Sequence, residues 1–311
     1  MPKPKMLFVL AFFSIFAAII ALPTYARDTS GVPVTTVVTV LGDKHAPAPT
    51  IDGADVNAYE GRARLAVTSW TPARGPQAKL QLAILINEAE GPVAVGSELD
   101  ELSQFIMSQR RSTAVGLFYA AYDDVETASP FSTDHAAVAK GLHITPGFLS
   151  ANSPSIYESI SSLIKKWPTP AAPRREMLVI ASGFDPLFPD FEDPYLDSAI
   201  TDAQKAGIVV HVLYSGGQRL GESFNGEIAQ NNLDMISSQT GGANLYTGII
   251  PPISFGVFLQ RLNVILSNQY VLTFDIPPAK GRKGELRKVE VKLEEHNAKL
   301  AYPQEVLVPG Q

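Results

Sequence analysis

The chain has 311 residues, 25 Lys and Arg against 31 Asp and Glu, a formal net charge of −6, no cysteine and 45% hydrophobic residues. The lack of cysteine removes thiol nucleophiles, disulfide frameworks and cysteine-based zinc or iron–sulfur sites. The acidic balance argues against a nucleic-acid binder and against an electrostatic binder of membrane surfaces. Lys3 and Lys5 precede an apolar run from Met6 to Leu22 broken only by Ser14, and Pro23-Thr24-Tyr25-Ala26 follows as a cleavage-type junction. The pattern predicts a signal peptide over 1–26 and a secreted or periplasmic protein. An uncleaved helix at the lower edge of a membrane span is the alternative, and it would anchor the chain. No cysteine follows to carry a lipoprotein anchor. Cleavage removes two lysines and no acid, which deepens the charge to −8.

Residues 27–75 are rich in β-branched residues with two-residue alternation: Val32 to Leu41, Asp55 to Tyr59, and Arg64 to Trp70, separated by Gly42-Asp43, Asp52-Gly53 and Glu60-Gly61. A short antiparallel meander is expected. Residues 76–268 alternate apolar strands with amphipathic helices. The strand Leu80–Ile86 has one polar interruption, Gln81, as suits a strand covered on both faces. A helix opened by Ser97 as cap carries Leu99, Leu102, Phe105 and Ile106. The strand Val115–Ala120 follows, with Val125–Phe131 as an edge partner. Ile156–Ile164 is helical and stops at Lys165-Lys166-Trp167-Pro168. Met177–Ala181 is a central strand, a helix over Leu196–Ala206 ends at Gly207, and Ile208–Leu213 is the next strand. A helix around Leu233 and Ile236 ends at Thr240-Gly241-Gly242 before a short strand at Leu245-Tyr246. The last helix carries Phe255, Phe258, Leu259, Leu262 and Ile265. Residues 269–311 return to strands at Tyr270–Phe274, Arg287–Leu293 and Lys299–Tyr302. The fold class is therefore α/β: a doubly wound, mostly parallel sheet inserted in a small β-sandwich built by the N- and C-terminal strands.

The histidines His45, His135, His143, His211 and His296 are scattered and show no metal-ligand spacing. His211, inside an apolar strand, reads as a packed core histidine; His135, beside Asp134, and His143 read as solvated loop side chains. No Gly-x-Ser-x-Gly elbow is present, and Glu88-Ala89-Glu90-Gly91 puts anionic side chains where a dinucleotide's pyrophosphate would lie. Lys165-Lys166 reads as a solvated helix end. In a doubly wound sheet ligands sit at the carboxyl ends of the strands. Here those ends are Asn87 to Gly91 and Ser182 to Asp185, with the loop Ser150 to Ser155 reaching the same rim.

At these residues the chain resembles a von Willebrand factor type A (VWA) domain, and more closely the bacterial VWFA-related secreted family first grouped from acidobacterial sequences. The resemblance runs through Val37–Leu41, Asp55–Glu60, Phe131–Asp134, Ser155–Glu158, Trp167-Pro168, Arg174-Arg175-Glu176, Asp193-Pro194-Tyr195, Ala203-Gln204, Thr240-Gly241-Gly242 and Asn268–Phe274. It implies a metal-ion-dependent adhesion site, in which an Asp-x-Ser-x-Ser loop, a Thr and a later Asp hold Mg²⁺ through oxygen donors. This chain departs from that pattern. Asn87 stands for the Asp, Ala89 and Gly91 for the serines, Ser153 or Pro154 for the Thr, and Ser182 for the later Asp. The site is degenerate, and no cofactor is expected. Glu88, Glu90 and Asp185 are the candidates for a looser Mg²⁺ or Ca²⁺ site.

Asn87, Glu88, Ala89, Glu90, Gly91, Ser153, Ser182 and Asp185 are thus the expected binding rim of a non-enzymatic module for protein–protein or adhesion-type interaction. Its partner would be a protein or envelope component, with no nucleic acid and no membrane contact beyond the signal segment. Two other classes stand beside it. One is a structural or assembly component of the envelope that pairs through sandwich edges. The other is a hydrolase using Asp134, His135 or His143 as acid/base groups.

Overall fold

The computed structural model describes residues 31–42, 47–87, 98–121, 124–144, 155–169, 172–183, 193–216, 223–248, 250–294 and 298–310, and Gly31–Gln311 is one compact unit. The strands are β1 (Val32–Gly42), β2 (Val56–Glu60), β3 (Ala63–Pro72), β4 (Leu80–Ile86), β5 (Thr113–Ala121), β6 (Asp124–Ser132), β7 (Arg174–Ala181) and β8 (Val209–Tyr214), then β9 (Gln269–Ile276), β10 (Glu285–Lys288), β11 (Glu290–Leu293), β12 (Ala298–Ala301) and β13 (Glu305–Val308). The helices are α1 (Leu99–Met107), α2 (His135–Ala139), α3 (Ile156–Lys165), α4 (Pro194–Ala206), α5 (Ser223–Gln239) and α6 (Gly256–Ser267).

One sheet runs β6-β5-β4-β7-β8, with β5, β4, β7 and β8 parallel and β6 antiparallel at the edge. β4 shows why its sequence is almost wholly apolar. Ala83 and Leu85 pack with α3, α4 and α5 on one face, and Leu80, Leu82, Ile84 and Ile86 with α1, α2 and α6 on the other. A strand covered on both faces has no solvent side to mark with polar residues. Its one interruption, Gln81, accepts from Trp167 Nε1 at 2.9 Å and from Ala172 N at 3.1 Å, fixing the approach to β7.

The second sheet runs β11-β2-β3-β9-β1-β12, and the ribbon β10–β13 closes a third core around Val38, Leu272 and Phe274. N- and C-terminal strands do share it, but not as a meander. β1 lies next to β9 and β12, and β9 separates it from β3. The reason is length and burial: β1 matches β9 over eight registered pairs, Val32↔Ile276 to Thr39↔Gln269. Such a strand is better satisfied in the sheet interior than at the end of a hairpin.

Other expectations are corrected in detail. The stretch Arg287–Leu293 is two strands in two sheets, because Val289 N turns aside to donate to Gln304 O at 3.0 Å. Leu245-Tyr246 is no strand. A single bridge, Val212↔Asn244, and the bond Leu245 N to Val212 O at 2.9 Å remain. Ser97 lies outside the described residues, and Glu98 occupies the N-cap position of α1.

Candidate functional site

The order of the parallel sheet reverses at β4: the chain leaves it for β5 on one side and returns through β7 on the other. The gap between the carboxyl ends of β4 and β7 is therefore the crevice where a doubly wound sheet takes its ligands. Asn87 follows β4 and donates its backbone N–H to Ile180 O at 2.9 Å; Ser215 follows β8 and donates likewise to Ala181 O at 3.0 Å. Ser182 follows β7. These two bonds carry the sheet one residue past its strands and put all three side chains on one rim. The start of α3 joins them, because Tyr157 Oη donates to Gly183 O at 3.1 Å and brings Ser155 to the same end.

This floor is polar, neutral and buried. Asn87 is 9% exposed, Ser182 4%, Ser155 2% and Ser215 1%. The Ser155 and Ser215 hydroxyls make no hydrogen bond among the described residues. That is uncommon for buried polar atoms, most of which find a partner. Glycine exits shape the floor. Gly183 has φ +74°, and a Cβ there would stand 2.6 Å from Leu233 Cγ. Gly216 has φ +77°, and a Cβ would meet Pro251 Cγ at 2.1 Å. Glu88, Ala89, Glu90, Gly91, Ser153 and Asp185 lie outside the described residues. Of the expected rim, Asn87 and Ser182 are brought together, as floor rather than as outward contact surface. Ser215 was not foreseen. A hydroxyl just after a strand in this topology was the signal for it.

The described floor by itself offers an adhesion-type Mg²⁺ no carboxylate. The ion needs oxygen donors that include carboxylates to offset its dehydration, and the described floor offers one amide and three hydroxyls. Among the described residues no three His, Asp or Glu side chains gather as a ligand set.

The residues of the hydrolase reading are engaged structurally. Asp134 caps α2 through Ala137 N at 3.1 Å. His135 is half-buried, with Nε2 2.8 Å from Thr113 O, and is not the solvated loop side chain expected. His143 Nδ1 lies 2.9 Å from Gly141 O, its ring is 4.3 Å from that of Tyr119, and Tyr119 Oη donates to His143 O at 2.8 Å. Lys166 pairs with Asp124, and Trp167 is buried in the core. Lys166 first, then Ser162, lowers the Asp124 carboxyl from 3.8 to about 2.

A second polar cluster lies at the opposite, amino end of the sheet. His211 is fully buried, as expected of a core histidine. Its Nδ1 accepts from Ala243 N at 3.1 Å, so Nε2 carries the proton and donates to Glu176 Oε2 at 2.7 Å. Gln269 Nε2 donates to the same oxygen at 3.1 Å. Arg174 Nη1 donates to Gln269 Oε1 at 2.7 Å and Leu266 O at 3.1 Å, and Nη2 to Ala78 O at 2.9 Å. Burial lowers the pKa of the Arg174 guanidinium, and Glu176 opposes that shift. The Arg174-Arg175-Glu176 motif had carried no role in the sequence. Here it clamps both places where the chain passes between the two sheets.

No protein-family model and no curated protein matches the chain. Among solved structures it is similar to an aerotolerance-related membrane protein from Bacteroides fragilis carrying multiple mutations to serine. The TM-score is 0.43 at 14% identity, over 60% of this chain and 98% of that one. BatB from Bacteroides thetaiotaomicron gives 0.38 at 16% identity, over 53% and 88%. The Rpn10 VWA domain gives 0.39 at 11%, over 60% and 96%. The class defined by the strand order and the helices on both faces is a doubly wound α/β layer, joined to an antiparallel sheet.

Proposed function

We propose that the protein is an exported binding module that holds another macromolecule at the carboxyl-end rim of its parallel sheet, without the Mg²⁺ site usual for such rims and without chemistry of its own. The observation that carries the reading is the neutral floor of Asn87, Ser155, Ser182 and Ser215, with two buried hydroxyls, those of Ser155 and Ser215, that find no hydrogen-bond partner among the described residues. Polar groups held in place and left unsatisfied are suited to be completed by something from outside. Glu88, Glu90 and Asp185 follow Asn87 and Ser182 within three residues in sequence, and acidic side chains beside the floor would suit a partner with basic side chains.

The test is capture from an envelope extract with the wild-type chain and with a Glu88→Lys, Glu90→Lys variant. The expected result is a partner retained by the first and lost by the second. A partner that persists on the variant assigns the protein to envelope assembly through its other surfaces. Isothermal titration with Mg²⁺ and Ca²⁺ is expected to show no micromolar site. Such a site, abolished by Asp185→Ala, would overturn the metal-free reading.

A further inference from the structure

The net charge of −6 conceals an uneven distribution. The segment 280–288 carries Lys280, Arg282, Lys283, Arg287 and Lys288 against the single acid Glu285. It does not stand alone. β3 pairs Ala66 with Asp275, so Arg64 and Arg62 run past that point to the same end of the sheet. Arg287 ties the two segments together: it is 3.4 Å from Glu60 Oε1 and donates to Pro277 O at 2.8 Å. Arg287 is thereby spent on Glu60 and Glu285, and Lys288 faces Glu305 across the ribbon. Arg62, Arg64, Lys280, Arg282 and Lys283 are exposed and make no ion pair among the described residues.

The loop is built to present them. Gly284 N donates to Gly281 O at 3.1 Å, closing a turn with Arg282 and Lys283 at its two central positions. Gly284 has φ +74°, a conformation glycine accepts without strain. Ala279 N donates to Pro309 O at 3.0 Å and holds the base of the loop to the last strand. Gly31, the first described residue, lies at the same tip. Val32 pairs with Ile276, and a Cβ on Gly31 would lie 2.8 Å from Asp275 Cβ. Three residues lie between Ile276 and Lys280, a span of at most about 14 Å of extended chain.

We propose that this tip is a docking surface for anionic phospholipid headgroups of the membrane across which the chain is exported. Each exposed Lys or Arg near an anionic leaflet contributes about 1 kcal/mol, so a tip with five of them, none in an ion pair among the described residues, is complementary in charge to such headgroups. The tip lies at the far end of β9 from the joint with the parallel sheet. Lipid contact there leaves the carboxyl-end rim free.

The test uses the chain from Arg27, which contains all three cores. Sedimentation is followed with phosphatidylcholine vesicles and with vesicles containing phosphatidylglycerol, at low and at physiological salt. Binding is expected only with phosphatidylglycerol, weakening as salt rises. Reversing Lys280, Arg282 and Lys283 to Glu is expected to lower the partition coefficient at least fivefold for each charge lost. Reversing Lys140, Lys165 and Lys205, which changes the net charge equally elsewhere, is expected to leave it within twofold. Equal binding to neutral vesicles, or equal loss in the two triple variants, would overturn the proposal. So would retention on dextran sulfate without retention on anionic vesicles, which would point to a soluble polyanion.

Discussion

Asp124 begins β6 and closes it onto α3: its Oδ1 accepts from Ser162 Oγ at 2.7 Å, from its neighbour Val125 N at 2.7 Å and from Lys166. Its pKa is lowered to about 2, chiefly by Lys166. A carboxyl depressed on folding adds stability above its unfolded value of 3.8 and loses it as pH falls toward 2. Asp124→Asn is therefore expected to be less stable than wild type near neutral pH, with the difference narrowing as pH falls from 3.8 toward 2. Melting temperatures of both proteins across that range check it, and a gap that widens on acidification would refute the assignment. Gly183 gives a prediction of another kind. An alanine there meets both a positive φ and Leu233, so Gly183→Ala is expected to cost roughly 1–3 kcal/mol in urea unfolding. Neither residue was marked in the sequence. Asp124 reads as one more acid in a loop, and a glycine's need for positive φ appears only once the strand exit is seen against α5.

The elements most legible in the sequence were those whose partners are local. Helices α3, α4 and α6 follow from their apolar spacing, and Gly207 stops α4 in the left-handed conformation at φ +61°. Strand identity was legible and strand pairing less so. Nothing local to Val32–Leu41 tells that its neighbour is Gln269–Ile276, more than 200 residues away, or that the run at 287–293 divides at Val289. The N-terminus of α6 is a case where a helix cap is supplied from a distance. Glu101 in α1 accepts from Phe255 N at 2.6 Å, Gly256 N at 2.8 Å and Ser254 Oγ at 2.7 Å. A carboxylate there satisfies donors the helix cannot and meets the positive end of its dipole. Glu101→Ala is expected to cost about 1–3 kcal/mol. Glu101→Gln should lose less, since the amide oxygen still accepts but carries no charge. Urea midpoints decide it, and equal losses for the two variants would mean that the charge contributes nothing.

At the scale of the molecule, the question is why a chain with three separate cores is one unit. The candidate site depended on this scale too. Asn87, Ser182 and the loop ending at Ser155 could be placed on one rim from the doubly wound pattern, whereas Ser215 needed the register of β7 with β8. The opposite end of the sheet supplies the answer about unity. The chain crosses from the antiparallel to the parallel sheet near Ala78 and returns between Leu266 and Gln269, and Arg174, 2% exposed, bonds to all three residues. Glu176 gathers His211 and Gln269 beside it. Removing one member of such a buried set leaves the others uncompensated, at a cost of about 3–5 kcal/mol. The two tryptophans make the coupling measurable, because Trp70 stacks on Tyr270 in the antiparallel sheet at 4.4 Å and Trp167 packs in the α/β core. Trp70→Phe and Trp167→Phe variants each leave one reporter, and with Arg174 intact the two urea transitions are expected to coincide, as a single cooperative unit requires. With Arg174→Met added they are expected to separate, the Trp70 signal and the Trp167 signal reaching their midpoints at different urea concentrations. If both fall together to a lower midpoint, Arg174 adds stability to the whole unit but the two layers stay coupled without it.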